Sequence, residues 1–178
     1  MIKLNAKQLR TTSSSPTEKS GLQKNPIYII VDNVLDTYNV GSIFRLADAV
    51  GAEKVYLCGV TETPPNSRIK KASINTTEWV EWEYFASTSE AILNIKSQIS
   101  NIQVIAIEQD ARSIPFEKAA YSFPAAFIVS NETTGASKEV LNMADIIVEI
   151  PMWGVNKSLN VMVSLAIVLF QATQKLLG

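Results

Sequence analysis

The most informative absence in this 178-residue sequence is histidine, of which there is none. Its absence excludes the Ser–His and Cys–His pairs of nucleophilic catalysis and the usual histidine-containing zinc sites. Any proton transfer must therefore use a carboxylate, a lysine, a tyrosine, an arginine, water or the substrate itself. The single cysteine, Cys58, lies in an apolar strand pattern, so a disulfide framework is excluded and a small core residue is indicated.

The sequence is also poor in glycine and in long apolar runs. None of its seven glycines is paired as G-x-G, which excludes the dinucleotide fingerprint and the P-loop and disfavours a Rossmann-type enzyme. The longest apolar run near the C-terminus, Val161–Phe170, is too short to cross a bilayer. The N-terminus lacks an apolar signal region, which argues against secretion. We therefore expect a cytoplasmic protein without a membrane anchor.

Charge is balanced over the chain but uneven along it. The net charge is −1 and 47% of the residues are hydrophobic, so the chain can form a core. Residues 1–25 are rich in Ser and Thr, and in Met1–Lys24 five cations face a single acidic residue, Glu18. This segment predicts an irregular or mobile basic arm, which either contacts phosphates or is a plain solvated tail. Residues 26–178 are predicted to form one domain.

Strand and helix patterns alternate along that domain. The predicted strands are Ile27–Val31, Lys54–Leu57, Val104–Ile107, Ala125–Val129 and Ile146–Ile150. The predicted helices are Val40–Val50 with Asn39 as cap, one from Ser87 to about Ser100, Lys138–Met143, and one from about Asn160 to Leu176, while Ile114–Tyr121 is compatible with a short helix. Gly59–Trp79 is predicted to be a long loop. The alternation predicts an α/β fold with a mostly parallel sheet and helices on both faces.

Three stretches combine polar groups with predicted element ends. Asn39, Ser42 and Arg45 lie about one turn apart on one side of a predicted helix. The alternative interpretation of Arg45 is an ordinary solvent-exposed arginine on a helix surface. Ser130–Gly135 follows a buried strand, where open α/β sheets bind ligands, although Asn131 and Thr134 also suit an ordinary turn. Ile150–Asn160 joins a strand to a helix start, where Ser158 or Asn160 can act as cap.

Together these stretches resemble the SpoU (TrmH-like) RNA ribose 2′-O-methyltransferases of the SPOUT superfamily. Asn39–Gly51 resembles the first family motif, N-x-G-x-x-x-R-x-A-x-A-x-G. Asn131-Glu132-x-x-Gly135 resembles the second, G-x-E-x-x-G, and Ile150–Val161 resembles the third, I-P-M-x-G-x-x-x-S-L-N-V. Three motifs in the family's order are a more specific signal than any one of them.

The resemblance implies S-adenosylmethionine as methyl donor, tRNA or rRNA as substrate, a homodimer and a C-terminal trefoil knot. It also implies that an arginine of one subunit works near the cofactor of the other. Arg45, Glu132 and Asn160 match the family's catalytic or conserved polar positions. The cofactor residues carried over are Ile107, Ser130, Asn131, Glu132, Gly135, Ile150, Met152, Ser158, Leu159 and Asn160. The residues expected to contact RNA are Asn39, Ser42, Arg45, Arg68, Lys70 and Lys71.

Two positions depart from the family pattern. Ser130 stands where the second motif usually has glycine, and Asn75-Thr76 stands where the family often has Gly-Ala. The alternative class is a non-catalytic RNA-binding protein that keeps this fold, and a nucleotide-using α/β enzyme of another kind is disfavoured by the missing glycine-rich loop. Within the enzymatic reading, either Glu132 or a phosphate oxygen can accept the hydroxyl proton. A guanidinium is a poor base, so Arg45 is expected to stabilise negative charge or to grip a phosphate.

Overall fold

A seven-stranded parallel sheet organises the chain. The computed structural model describes residues 3–12, 15, 18 and 21–176. The strands are β1 Asn25–Asp32, β2 Ala52–Cys58, β3 Trp82–Phe85, β4 Gln103–Ile107, β5 Ile114–Pro115, β6 Ala125–Ser130 and β7 Ile146–Glu149. Their order across the sheet is β3-β2-β1-β6-β4-β7-β5, and every neighbouring pair is parallel. The predicted parallel sheet is thus confirmed.

Helices cover both faces of this sheet. The described α-helices are α1 Ala6–Thr11, α2 Thr37–Ala49, α3 Ser67–Ser73, α4 Thr88–Gln98, α5 Lys138–Met143 and α6 Val161–Thr173. Alternate residues of β1 enter different cores: Ile29 and Val31 pack with α2, α3 and α6, whereas Ile30 packs with α4 and α5. This period-two alternation is what a sheet buried on both faces requires. No helix in the described ranges has the length and apolarity to cross a membrane.

The start of α2 differs from the prediction. Asp36, not Asn39, is the N-cap, and its side chain accepts a 2.8 Å hydrogen bond from the backbone N–H of Tyr38. The helix therefore begins at Thr37, three residues before the predicted Val40. Asn39 lies inside the first turn, so its carboxamide is not used for capping and can reach other parts of the chain.

The segment Gly59–Trp79 is not the unbroken loop that the sequence predicted. It contains α3, which begins after Asn66 because the side-chain oxygen of Asn66 accepts bonds from the N–H groups of Arg68 and Ile69. A 3-10 turn, Thr76–Glu78, follows. The two Pro residues before Asn66 obscured this cap in the sequence pattern. The basic group predicted for a loop therefore lies on a helix.

Smaller differences concern short elements. The edge strand β3, four residues long, was not predicted. The suggested short helix within Ile114–Tyr121 is a two-residue strand followed by the 3-10 turn Phe116–Lys118. Such short elements carry too few residues for periodicity to be detected. Of the two caps that the sequence left open for the last helix, Ser158 and Asn160, the structure uses Asn160. The trefoil knot and the division into arm and domain stay predictions.

Part of the basic arm is helical. The interpretation of Lys7–Asn25 as irregular is wrong for the residues of α1, because Asn5 and Gln8 form a capping box there. Residues 13, 14, 16, 17, 19 and 20 of the arm lie outside the described residues. The end of α1 is fixed by Asn75, whose side-chain N–H₂ donates to the carbonyls of Leu9 and Thr12 at 3.1 and 3.3 Å. These hydrogen bonds tie the arm to the domain. Asn75, at the position where the family often has glycine, adopts a left-handed backbone conformation with a φ of +68°.

A glycine sets the distance between α2 and α3. A Cβ on Gly41 would lie 2.6 Å from both the Cβ of Ala72 and the carbonyl oxygen of Ile69. Both contacts are shorter than van der Waals distance, and one is to backbone that cannot rotate away. Gly41 therefore permits the close packing that brings the basic helix α3 against the helix that carries Arg45.

We predict that Gly41→Ala destabilises the protein by about 1–3 kcal/mol, because the added methyl group forces α2 and α3 apart. Urea unfolding measures this change. The matched control is Gly154→Ala: a Cβ at Gly154 meets nothing within 4 Å, so its effect should stay within about 0.5 kcal/mol. Equal stability of the two variants would contradict the role given to Gly41.

Candidate active site

A cavity of about 430 Å³ opens at the carboxyl ends of β4, β6 and β7. This volume is in the range of small-molecule sites. The cavity is lined by every predicted cofactor residue except Asn160, namely Ile107, Ser130, Asn131, Glu132, Gly135, Ile150, Met152, Ser158 and Leu159. The second and third motif stretches, distant in sequence, thus line one and the same cavity. Ser130, only 9% exposed, is accommodated in this wall although the family usually has glycine there.

The turn after β6 is held in shape by Asn131. Its side-chain oxygen accepts hydrogen bonds from the N–H groups of Thr133 and Thr134 at 2.8 and 2.9 Å. Its side-chain N–H₂ donates to the carbonyl of Asn33 at 2.9 Å, which fixes the turn to the end of β1. Both polar atoms of Asn131 are therefore engaged within the protein, and the side chain organises the backbone that faces the cavity.

Glu108 and Gln109, which directly follow β4, hold two of the cavity-lining loops in place through hydrogen bonds. Glu108 accepts a bond from the N–H of Ala136 at 3.1 Å, and Gln109 donates to the carbonyl of Lys157 at 2.5 Å. Gly135 has a φ of +65°, and a Cβ there would lie 2.6 Å from the Glu108 carboxylate. Sequence analysis did not identify this pair. Their position directly after Ile107, at a strand end, was the one signal that could have done so.

A chain of side-chain hydrogen bonds joins all three motif stretches. Asn39 donates from Nδ2 to Oε1 of Glu132 at 3.1 Å, and its Oδ1 accepts from Nδ2 of Asn160 at 2.9 Å. Asn160 in turn accepts from the N–H groups of Met162 and Val163 at the start of α6. Because a carboxylate only accepts and those N–H groups only donate, the orientation of both amides follows from their partners.

The carboxylate of Glu132 is held by N–H donors. Besides Asn39, the backbone N–H groups of Leu35 and Asp36 donate to it at 3.2 and 3.3 Å. Burial by itself would raise the pKa of Glu132, but the hydrogen bonds from Asn39 and from the backbone outweigh it and lower that pKa below its ordinary value of 4.5. Glu132 is therefore an ionised acceptor whose oxygens are already occupied by protein donors.

The remaining predicted residues lie away from the cavity. Arg45 and Ser42 are on α2, and Arg45 is exposed and does not line the cavity. With a rise of about 1.5 Å per residue, Arg45 lies about 9 Å along the helix from Asn39. Arg68, Lys70 and Lys71 are exposed on α3, which packs on α2 at Gly41. The structure thus brings the cofactor residues together in one cavity, and it places the cations outside that cavity on two adjacent helices.

Comparison with known proteins adds a second line of evidence. The model of the SpoU rRNA Methylase family matches residues 26–170. The chain is 29% identical over 150 residues to the tRNA (guanosine(18)-2′-O)-methyltransferase of Escherichia coli K12, with 83% of this chain and 62% of that protein covered. It is 31% identical over 147 residues to the enzyme of the same name from Thermus thermophilus, covering 83% of this chain and 74% of that protein. The chain spans about three fifths of the length of the Escherichia coli relative.

Solved structures give the same result. The Aquifex aeolicus TrmH/SpoU tRNA modifying enzyme superposes with a TM-score of 0.77 at 28% identity, covering 96% of this chain and 81% of that one. The AdoMet-bound rRNA methyltransferase from Sinorhizobium meliloti superposes with a TM-score of 0.78 at 29% identity, covering 96% and 61%. The fold predicted from the sequence is therefore shared by both.

We predict that Asn39→Asp, although it replaces a side chain by one of nearly equal size, lowers the free energy of unfolding. The substitution puts a second carboxylate about where the Asn39 amide now donates to Glu132, and the amide is only 8% exposed. Loss of the hydrogen bond and like-charge repulsion should cost about 1–3 kcal/mol in urea unfolding at neutral pH. The same change in Asn142, whose side-chain oxygen accepts a bond from Arg112, should leave stability unchanged or slightly higher. If both variants behave alike, the bridging role of Asn39 is refuted.

The low pKa of Glu132 predicts a pH dependence of stability. A carboxylate whose pKa is lowered by folding stabilises the folded state above its unfolded pKa, and the contribution is lost as pH falls through the folded value. Glu132→Gln should therefore be less stable than the unmodified protein at pH 7, and the difference should shrink below pH 4.5, measured by urea unfolding. The exposed Glu117, outside this site, supplies the control Glu117→Gln. Its free energy of unfolding should differ little from that of the unmodified protein at either pH. If the difference in stability between Glu132→Gln and the unmodified protein is the same at all pH values, the carboxylate charge of Glu132 does not stabilise the fold.

Proposed function

The chain belongs to the SpoU rRNA Methylase family, and from that premise we propose that it transfers the methyl group of S-adenosylmethionine to a ribose 2′-hydroxyl of tRNA or rRNA. Two relatives are tRNA 2′-O-methyltransferases by name, and one similar structure is an rRNA methyltransferase with AdoMet bound. The location we propose for this reaction is the cytoplasm, where both kinds of RNA are abundant. The alternative, an RNA-binding protein that does not transfer methyl groups, differs from this proposal in one measurable property, turnover.

One observation carries the proposal. The hydrogen-bonded chain Asn160–Asn39–Glu132 connects the second and third motif stretches, which line the cavity, to the helix that bears Arg45. A methyltransferase has to hold its methyl donor and its acceptor in one fixed geometry, since alignment of the two reactants is its main contribution to rate. A protein that only bound RNA would have no need for a preshaped cavity joined to the basic helices.

The cavity fits an adenosine-containing cofactor in size and in chemistry. Its walls combine apolar side chains such as Ile107 and Leu159 with the backbone groups of the 130–136 turn. Gly135 leaves room where a side chain would collide with Glu108. The residues that would hold the cofactor are those of the second and third motif stretches, with Ile107 at the end of β4. When bound there, S-adenosylmethionine supplies a methyl group already activated by a sulfonium charge.

Arg45 is assigned to the acceptor RNA. Its guanidinium stays protonated under all ordinary conditions, so it cannot act as a general base. It can stabilise the negative charge that develops on the 2′-oxygen, or hold a neighbouring phosphate through two parallel hydrogen bonds. Both tasks place it at the RNA rather than at the adenosine, in agreement with its location outside the cavity.

Glu132 is assigned a positioning role. Its two oxygens accept three hydrogen bonds from Leu35, Asp36 and Asn39, and its pKa is lowered, which makes it a weak base. Of the two proton acceptors that the sequence left open, this geometry favours a phosphate oxygen of the RNA. Glu132 instead keeps the cavity turn in contact with the start of α2.

The active form is proposed to be a homodimer. The surface formed by the start of α2 and by α6 carries exposed apolar side chains, namely Leu35, Tyr38, Val163 and Phe170. Exposed apolar groups on adjacent helices are typical of subunit interfaces. A second subunit on this surface would also explain how Arg45, which does not line the cavity of its own chain, can reach a methyl group held by another chain.

We predict that Arg45→Ala reduces methyl transfer by about two to three orders of magnitude and leaves cofactor affinity nearly unchanged. Single-turnover transfer to total tRNA and rRNA, and calorimetry with S-adenosylmethionine, measure the two quantities. Arg45→Lys should restore little, because an ammonium cannot hold two oxygens in one plane. The proposed function fails if the unmodified chain binds no S-adenosylmethionine, and the non-catalytic alternative is supported if it binds RNA without turnover.

Mixing two inactive variants tests the dimeric arrangement in the same assay. Gly135→Val should abolish cofactor binding, because its side chain meets Glu108 and its φ is positive. A mixed dimer of Arg45→Ala and Gly135→Val contains one intact site only if Arg45 acts on the cofactor of its partner. Recovery of activity on mixing supports that arrangement, whereas no recovery, with a dimeric mass by light scattering, places Arg45 at the cavity of its own chain.

A further inference from the structure

A second cavity, of about 470 Å³, lies between α3 and the start of β3. Its walls include Pro64, Pro65, Ile69, Lys70 and Trp82, and no residue lines both this cavity and the cofactor cavity. None of the three motif stretches contributes to it. Its occupant therefore has to be identified from the chemistry of its own walls.

The walls suit a flat aromatic ring. Trp82 is half-buried and packs against the core on the α2 side of the sheet, so its ring is held in place while part of it faces the cavity. Pro64 and Pro65 supply further rigid apolar surface, and the fully buried Ile69 supports the cavity wall from within the core. Stacking on an immobilised indole is the mode by which proteins bind unpaired nucleobases without reading a duplex.

The charges around the cavity suit a nucleotide rather than an apolar ligand. Lys70 is exposed and lines the cavity, while Arg68 and Lys71 lie on the same helix without lining it. Glu78 also lines the cavity, so the phosphate contact is assigned to Lys70 alone, and Arg68 and Lys71 add positive charge to the helix that carries it. Asn66 and Thr77, which also line the cavity, provide polar groups that can meet the edges of a base.

The position of the cavity links it to the proposed reaction. The helix α3 packs on α2 at Gly41, which lies two residues after Asn39 and four before Arg45. One RNA that contacts Arg45 can therefore also reach the helix that lines this cavity, because α3 carries Lys70 and packs directly on α2.

We propose that this cavity binds an unpaired nucleobase next to the methylated nucleotide, with the base stacked on Trp82 and its phosphate held by Lys70. The inference rests on the proposed function, since it assigns to the same RNA a second point of contact. It makes the cavity a determinant of substrate choice: target nucleotides flanked by an unpaired base bind, and those in continuous duplex do not.

Binding of short RNAs to the full chain tests the proposal. The probes are labelled single-stranded hexamers of A, C, G or U, with affinity measured by fluorescence anisotropy at several salt concentrations. Trp82→Leu should weaken binding of the best hexamer by about tenfold, whereas Trp82→Phe, which keeps an aromatic ring, should weaken it by less than about threefold. Affinity for S-adenosylmethionine should be unchanged in both variants.

The role of the cation is tested by Lys70→Gln, with Lys138→Gln as the matched control on the opposite face of the sheet. Loss of one phosphate contact should reduce the slope of log affinity against log salt by about one for Lys70→Gln and leave it unchanged for Lys138→Gln. Equal slopes for the two variants would overturn the assignment of the phosphate to Lys70.

A cross-linking measurement decides the case if Trp82→Leu proves unstable. Hexamers that carry 5-iodouridine, irradiated with the unmodified chain, should label the peptides that contain Lys70 or Trp82. Labelling confined to other peptides, or tight hexamer binding by a folded Trp82→Leu, overturns the nucleobase cavity. If the unmodified chain then still methylates RNA, the proposed function stands alone, whereas failure to bind S-adenosylmethionine removes the proposed function instead.

Discussion

The carboxamide of Asn39 is the contact on which the site depends. It donates to Glu132 and accepts from Asn160, so a single planar group connects the turn after β6, the start of α6 and the first turn of α2. A carboxylate in place of Asn39 could not make both contacts, because it has no proton to donate to Glu132, whereas an amide supplies one donor group and one acceptor. The bond network is closed at both ends by backbone N–H groups, which fixes each amide in one orientation.

The parallel sheet makes this contact possible. Since all strands run the same way, the carboxyl ends of β1, β6, β4 and β7 meet at one edge, and the loops that follow them are neighbours. Side chains then fix one loop to the next: Asn131 reaches the end of β1, and Glu108 and Gln109 reach the turn after β6 and the 151–160 loop. The cavity is thus shaped by contacts between loops more than by any single element.

Patterns within one element could be predicted from the sequence, and contacts between elements could not. Runs rich in β-branched residues such as Ile27–Val31 predicted the buried strands, and Asn160 was one of two recognisable caps for the last helix. The start of α2 was misplaced because Asp36 and Asn39 are both good caps, and tertiary contacts decide which one caps. Glu108 has only a weak local signal, its position at a strand end, since its importance arises from Gly135 and Ala136, far along the chain. The cofactor residues came from motif resemblance, which records such contacts without explaining them.

The order of strands has a consequence for synthesis of the chain. The centre of the sheet is β6, which pairs with β1 on one side and β4 on the other, yet it is made about a hundred residues after β1. A nascent chain therefore leaves one edge of β1 unpaired until residue 130 has emerged from the ribosome, and both edges of β4 are unpaired as well, since β6 and β7 both follow it in the chain. Contacts between distant residues form slowly, and unpaired edges can associate with other chains in the meantime. For this protein, the interval between translation of β1 and of β6 is the period in which it is most exposed to aggregation.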